Sequence, residues 1–160
     1  MAHDRPLVND RPRLVLDASV VVKWYLRENH SKEAVKLKDF ILKESAFVAV
    51  PELFFIEVAN VIWKKSALLK EISKIEAREI YREISRLPFQ VLPNHEILDE
   101  AFRLSLGYSV SIYDALYLAG AQELGALFIT SDSAFEEKLQ STQLSRTIVP
   151  LAGWETRILY

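Results

Sequence analysis

The chain contains no cysteine, so disulfides, thiolate zinc sites and cysteine nucleophiles are excluded. Its three histidines, His3, His30 and His95, offer no usable pair. That argues against metal-free cleavage of RNA through its 2′-hydroxyl, which needs a general base and a general acid near neutral pH. Only four glycines and six prolines occur among 160 residues, half of the residues are apolar and 26% are charged, which is the composition of a compact globule. No apolar run approaches the roughly 18 residues of a membrane span. The opening "MAHDRPLVNDRP" has no apolar stretch of the kind a signal peptide carries, so the expected location is cytoplasmic, without a membrane. Neither GxxxxGK[ST] nor GxGxxG is present, which removes two common nucleotide-binding loops. Internal repeats and Gly/Ser linkers are missing too, leaving one domain of a size that buries roughly 70% of its unfolded surface.

What is present begins with charge. The net charge is only −2, yet residues 61–90 carry seven Lys/Arg against four Glu, while residues 91–140 carry two against eight acids. Ordinary solvated helix faces account for such an imbalance; so does a cation-holding site with a rim that attracts an anion. Lys23, Lys64, Lys65, Arg78, Arg82 and Arg86 are candidates for that rim, and equally plain surface charges.

Apolar runs at "RLVLD", "AFVAV", "FQVL", "ALFIT" and "TIVPL" predict five strands. Between them lie helical patterns: a start near Ser19, then "HSKEAVKLKDFILKES", "ELFFIEVANVIWKKSALL" behind Pro51, and "SKIEAREIYREISRL" capped by Ser73. The last of these has a stripe of Ile75, Ile80, Ile84 and Leu87. "NHEILDEAFRLSLG" closes at Gly107, "SIYDALYLAGAQELG" closes at Gly125, and "DSAFEEKLQ" is short. Strands that are continuously apolar and alternate with helices predict an α/β fold, a parallel sheet covered on both faces. Ligands in such sheets bind beyond the carboxyl ends of the strands.

Four acids stand in apolar company. Asp17 follows "LVL" and Asp132 follows "LFITS", both at expected strand ends, where either also makes a good helix N-cap. "LFFIEVANVIW" is apolar on every side except Glu57 and Asn60, three apart and so on one face; "IYDALYLAGA" is apolar except Asp114. Helices apolar all round are expected to be buried, and an unpaired buried carboxylate costs several kcal/mol. One shared divalent site relieves all four. Oxygen ligands without sulfur or a local histidine select Mg²⁺, with Mn²⁺ as a substitute. Ser19 and Thr130, each two residues from an acid, are supporting candidates, as is Asn60. Carboxylate sites with Mg²⁺ commonly act on phosphate esters, by attack of water.

"LVLDASVVVKWYL", "PELFFIEVANVIWK" and "SIYDALYLAGAQELGALFITSD" with the following "SAF" resemble the PIN domain, in particular the VapC toxins of toxin–antitoxin pairs. The resemblance covers residues 13–150, leaving an N-terminal arm over 1–12 and a tail over 151–160 whose Trp154 and Tyr160 can pack on the body or on a second subunit. It places the family's acidic quartet on Asp17, Glu57, Asp114 and Asp132, and its hydroxyl residues on Ser19 and Thr130. It implies a three-layer α/β/α sandwich with a five-stranded parallel sheet, Mg²⁺- or Mn²⁺-dependent hydrolysis of RNA, a homodimer, and a cognate antitoxin protein as partner. Many relatives carry a further acid two positions after the last; here that position is Ala134, with Glu136 and Glu137 as possible substitutes. Two other readings of the pocket stay open: a binding module that docks a partner without turnover, and a Mg²⁺-dependent phosphatase.

Overall fold

The computed structural model describes residues 11–160; most of the expected N-terminal arm, residues 1–10, lies outside the described residues. The five apolar runs form β1 (Arg13–Leu16), β2 (Phe47–Pro51), β3 (Gln90–Leu92), β4 (Leu127–Thr130) and β5 (Ile148–Pro150). All neighbours pair in parallel, in the order β3-β2-β1-β4-β5. Leu14, Val15 and Leu16 are each fully buried although successive side chains leave a strand on opposite faces, so helices cover both faces of the sheet. The expected α/β/α sandwich is what forms.

The helices are α1 (Ala18–Val21), α2 (Ser31–Lys43), α3 (Leu53–Trp63), α4 (Lys74–Ser85), α5 (Asn94–Tyr108), α6 (Ile112–Leu124), α7 (Ser133–Leu139) and α8 (Trp154–Ile158). A short 3-10 turn, Val22–Trp24, extends α1, and a π-helical stretch, Lys64–Leu68, extends α3. From β1 the chain steps outward to β2 and β3, then crosses back to place β4 on the other side of β1. The direction of winding therefore reverses between β1 and β4, and the crevice beyond their carboxyl ends is where such sheets take ligands.

Local chemistry explains most boundaries. Ser73 caps α4 with its hydroxyl accepting the Glu76 N–H at 3.1 Å, while the Glu76 carboxylate accepts the Ser73 N–H at 2.7 Å. Gly125 ends α6 in the left-handed region at φ 57°. Gly120 lets α6 lie close to the end of β3: a Cβ there would stand 2.8 Å from Leu92 Cδ1.

Four expectations need correction. Pro51 ends β2 instead of opening α3, which begins at Leu53. Helix α5 runs through Gly107 to Tyr108, and it is Ser109 that takes the left-handed conformation, at φ 54°. Its turn is held by the Ser105 hydroxyl donating to Val110 O and by Lys138 donating to Ser109 O. Ile75 is exposed and does not belong to the α4 stripe. At about 100° per residue, nine positions put Ile75 opposite Ile84, and Ala77, seven positions before Ile84, packs in its place. Finally, α3 and α6 are not buried on every side: Ile56 and Trp63 of α3 and Tyr113 of α6 are more than half exposed.

The tail joins the body. Trp154 is buried against Phe40, with ring centroids 5.2 Å apart, and its indole N–H donates to Glu33 O at 3.2 Å. Tyr160 is fully exposed.

Candidate active site

Two of the four acids sit where the winding reverses. Asp17 directly follows β1 and caps α1, its Oδ1 accepting the Ser19 N–H at 3.3 Å. Asp132 follows β4 and caps α7, accepting the Phe135 N–H at 3.0 Å. Both are thus helix caps as well as strand-end acids. Thr130, the last residue of β4 and 1% exposed, ties the two loops together. Its hydroxyl donates to Asp17 Oδ2 at 2.7 Å and accepts the Asp132 N–H at 3.1 Å. Beside them the Asp17 N–H donates to Ile129 O at 3.0 Å, closing β1 onto β4.

The other two acids come from helices. Asp114 lies in the first turn of α6, where the Ser111 hydroxyl accepts its N–H at 3.1 Å and donates to its Oδ2 at 2.6 Å. Glu57 projects from the middle of α3, and its Oε2 accepts the Tyr117 hydroxyl at 2.6 Å. Asn60 is exposed and takes no part in the hydrogen bonds that tie the acids.

The acids feel one another. Burial pushes the Asp17 carboxyl above the usual range against the hydrogen bonds of Thr130 and Ser19, and the charge of Asp114 adds to the rise. Glu57 is pushed up to about 7, chiefly by burial, which the Tyr117 hydroxyl opposes without cancelling, while the charges of Asp17 and Asp114 add to the rise. Asp114 is raised by burial and by the charge of Asp132, with Ser111 opposing. Repulsion therefore links all four, although they lie up to 115 positions apart in sequence. Among the described residues no lysine, arginine or histidine pairs with any of them.

Donor type and charge fit a hard divalent cation, since every side chain offers oxygen and the cluster lacks a counter-charge. The Ser19 hydroxyl, buried without a hydrogen-bond partner among the described residues, is an open position for a water or a phosphate oxygen. As they stand, no three acid or histidine side chains among the described residues converge into a cation-holding group. Tyr117 engages one oxygen of Glu57 and Ser111 one of Asp114, leaving Oε1 and Oδ1 unengaged among the described residues, and the acids must draw closer together to close on an ion. A recess of about 760 Å³ between α2 and α8 is lined by Phe40 and Trp154 and by none of the four acids. It is a separate feature.

Two candidate phosphate-binding lysines are already engaged. Lys23 donates to Glu28 at 2.9 Å, and Lys65 bridges Glu28 at 3.2 Å and Glu71 at 2.7 Å. Sequence reasoning also passed over Ser111 and Tyr117. Ser-x-x-Asp at 111–114 was a readable capping pattern, and Tyr117, three positions after Asp114, shares its face of the helix.

The family model of the PIN domain matches residues 14–138, the stretch that holds all four acids. The chain belongs to the PIN domain family. Among PIN relatives, "Ribonuclease VapC3" of Pyrobaculum aerophilum is 33% identical over 131 residues, covering 79% of this chain and 94% of that protein. Two solved structures share the fold. The structure of PAE2754 from Pyrobaculum aerophilum gives a TM-score of 0.63 at 23% identity, covering 92% of this chain and 90% of the other. VapBC2 from Rickettsia felis, solved bound to a DNA fragment from its promoter, gives 0.60 at 11% identity, covering 86% and 98%. The PIN match ends before β5 and α8, so the buried Trp154 belongs to a part of this fold beyond the matched stretch.

Proposed function

We propose that this PIN protein is a metal-dependent endoribonuclease that hydrolyses RNA phosphodiester bonds, the toxin of a type II toxin–antitoxin pair. The observation that carries the reading is that four acids without a basic partner among the described residues face the crevice between β1 and β4, Asp17 and Asp132 tied by Thr130 and the others linked to them through the charge of Asp114. The relationship to a protein named as a ribonuclease supports the substrate. Asp17, Glu57, Asp114 and Asp132 would hold Mg²⁺, with Mn²⁺ as substitute. Bound there, the ion would supply positive charge to a phosphoryl oxygen and lower the pKa of a water.

The chain's own residues prepare that place. Thr130 fixes Asp17 from the neighbouring strand, Ser111 fixes Asp114 from the preceding turn, and the free Ser19 hydroxyl can donate to a phosphate oxygen. Hydrolysis by water breaks the P–O3′ bond and leaves a 5′-phosphate on one fragment and a 3′-hydroxyl on the other. A cognate antitoxin is the partner in this reading: an acidic crevice attracts an arginine, and α2, α3 and its π-helical extension expose the apolar side chains Val35, Leu42, Trp63 and Leu68. No helix among the described residues is long and apolar enough to cross a membrane.

The test is cleavage of a labelled, partly structured RNA with Mg²⁺, with Mn²⁺ and with EDTA, alongside Asp114→Asn. Metal-dependent cutting with 5′-phosphate ends, absent in the variant, is the expected result. Metal binding without cutting of any RNA would move the reading to a docking module, and turnover of small phosphate esters alone would make the protein a phosphatase.

A further inference from the structure

The four acids are not anchored alike. Asp17 and Asp132 are helix caps held by backbone N–H groups, and Asp114 is tied to Ser111 within its own first turn. Glu57 sits in mid-helix, has three side-chain torsions, and its carboxylate has one hydrogen-bond partner among the described residues, Tyr117, 60 positions away. That tyrosine is held rigidly. It is 1% exposed, and its ring stacks on Phe128 of β4 with centroids 5.4 Å apart and planes 10° from parallel. Phe128 in turn meets Phe135 of α7 edge-on at 5.9 Å. An aromatic column reaching from the sheet to α7 thus fixes one hydroxyl, and that hydroxyl fixes the one acid with no local anchor.

We infer that Tyr117 is a positioning residue of the cation site: its hydroxyl occupies Glu57 Oε2 and so presents Oε1, in one orientation, to the ion. The inference rests on the proposed reading that Glu57 belongs to that site. Tyr117 does not touch the reacting groups; it acts through Glu57. A carboxylate that accepts one fixed hydrogen bond has one oxygen left for a ligand and little rotational freedom to lose on binding, which favours the bound state.

Tyr117→Phe removes one buried oxygen atom and leaves the ring stack in place, so the fold should survive. The experiment is calorimetric titration of Mg²⁺ into the wild type, Tyr117→Phe, Glu57→Gln and the double variant, with the melting temperature of each taken in EDTA. The expected result is that Tyr117→Phe weakens Mg²⁺ binding about tenfold in the wild-type background and changes it little once Glu57 is Gln. A merely structural tyrosine would lower the melting temperature equally in both backgrounds and leave Mg²⁺ affinity unchanged, which overturns the inference. If the wild type binds Mg²⁺ and Glu57→Gln binds it as tightly, Glu57 lies outside the site and the inference falls while a cation site remains. If the wild type binds no divalent ion, the cation reading itself fails and takes the inference with it.

Discussion

Glu57 answers to two opposing demands: its half-buried place on α3 favours the neutral acid, and a cation site needs the carboxylate. Its pKa, pushed up to about 7 from 4.5, means that between those values the folded chain holds a proton that the unfolded chain has released. Stability from this group is therefore fully present below about pH 4.5 and is lost as pH rises through 7. Asp17 and Asp114, raised for the same reasons, act in the same direction. In EDTA the melting temperature should fall between pH 5 and pH 7.5, and Glu57→Gln should flatten part of the fall. Saturating Mg²⁺ should reverse it: at a hundred times the dissociation constant, binding adds about 2.7 kcal/mol, or roughly 5–10 °C. A flat profile unaffected by Mg²⁺ would mean that the acids do not share a cation. Asp17→Asn should keep or raise the melting temperature at pH 7.5, because Asn caps α1 equally well and removes repulsion, while RNA cleavage is lost. Unfolding of that variant would instead make Asp17 chiefly a structural cap.

Elements show which parts of the molecule sequence could reveal. The strands were legible because continuous apolar runs bounded by polar residues have few other uses, and the capping box at Ser73 and the left-handed Gly125 follow local rules that tertiary packing seldom overrides. Ile75 was misread because an apolar residue at roughly helical spacing is not on the stripe unless its angle agrees, and Ala77 was too small to draw notice. The acids were legible as charges in apolar company, and Thr130 as a hydroxyl two residues from one of them, although its bond to Asp17 is made only by the fold. Ser111 and Tyr117 were passed over, and only a polar residue at matching helical spacing to Asp114 could have flagged them. Inferring complete burial for α3 and α6 failed because an apolar face can also wait for a partner, as Ile56 and Trp63 do. The tail makes the clearest test at this scale. Trp154→Ala removes a buried ring and the bond to Glu33 O, which should cost about 3–5 kcal/mol and lower the melting temperature by on the order of 10 °C. Gly125→Ala, strained at positive φ, should cost only about 1 kcal/mol. Equal, negligible effects in thermal melts would show that the tail merely rests on α2.

At the scale of the whole molecule, the reversal of winding between β1 and β4 brings strand-end acids into one crevice, and α3 and α6 carry theirs to it. The same helices and α5 leave apolar side chains in water. Leu98, Phe102 and Leu106 follow one another at four-residue spacing along α5, exposed by 44%, 59% and 70%. They form one continuous stripe because four residues nearly complete a helical turn. A stripe of this kind is costly to leave hydrated, and α5 buries Ile97, Ala101 and Leu104 on its side facing α6, while no element among the described residues covers the stripe. A second copy meeting it across a twofold axis would bury both stripes at once, since a stripe of three similar side chains is complementary to itself. Sedimentation or light scattering should then give twice the 18.4 kDa of the chain, and Phe102→Glu, which sets a charge at the centre of that contact, should give the single mass without changing the melting of the monomer fold. A wild type that runs at 18.4 kDa at micromolar concentration would sink the homodimer and leave the α5 stripe to a different protein.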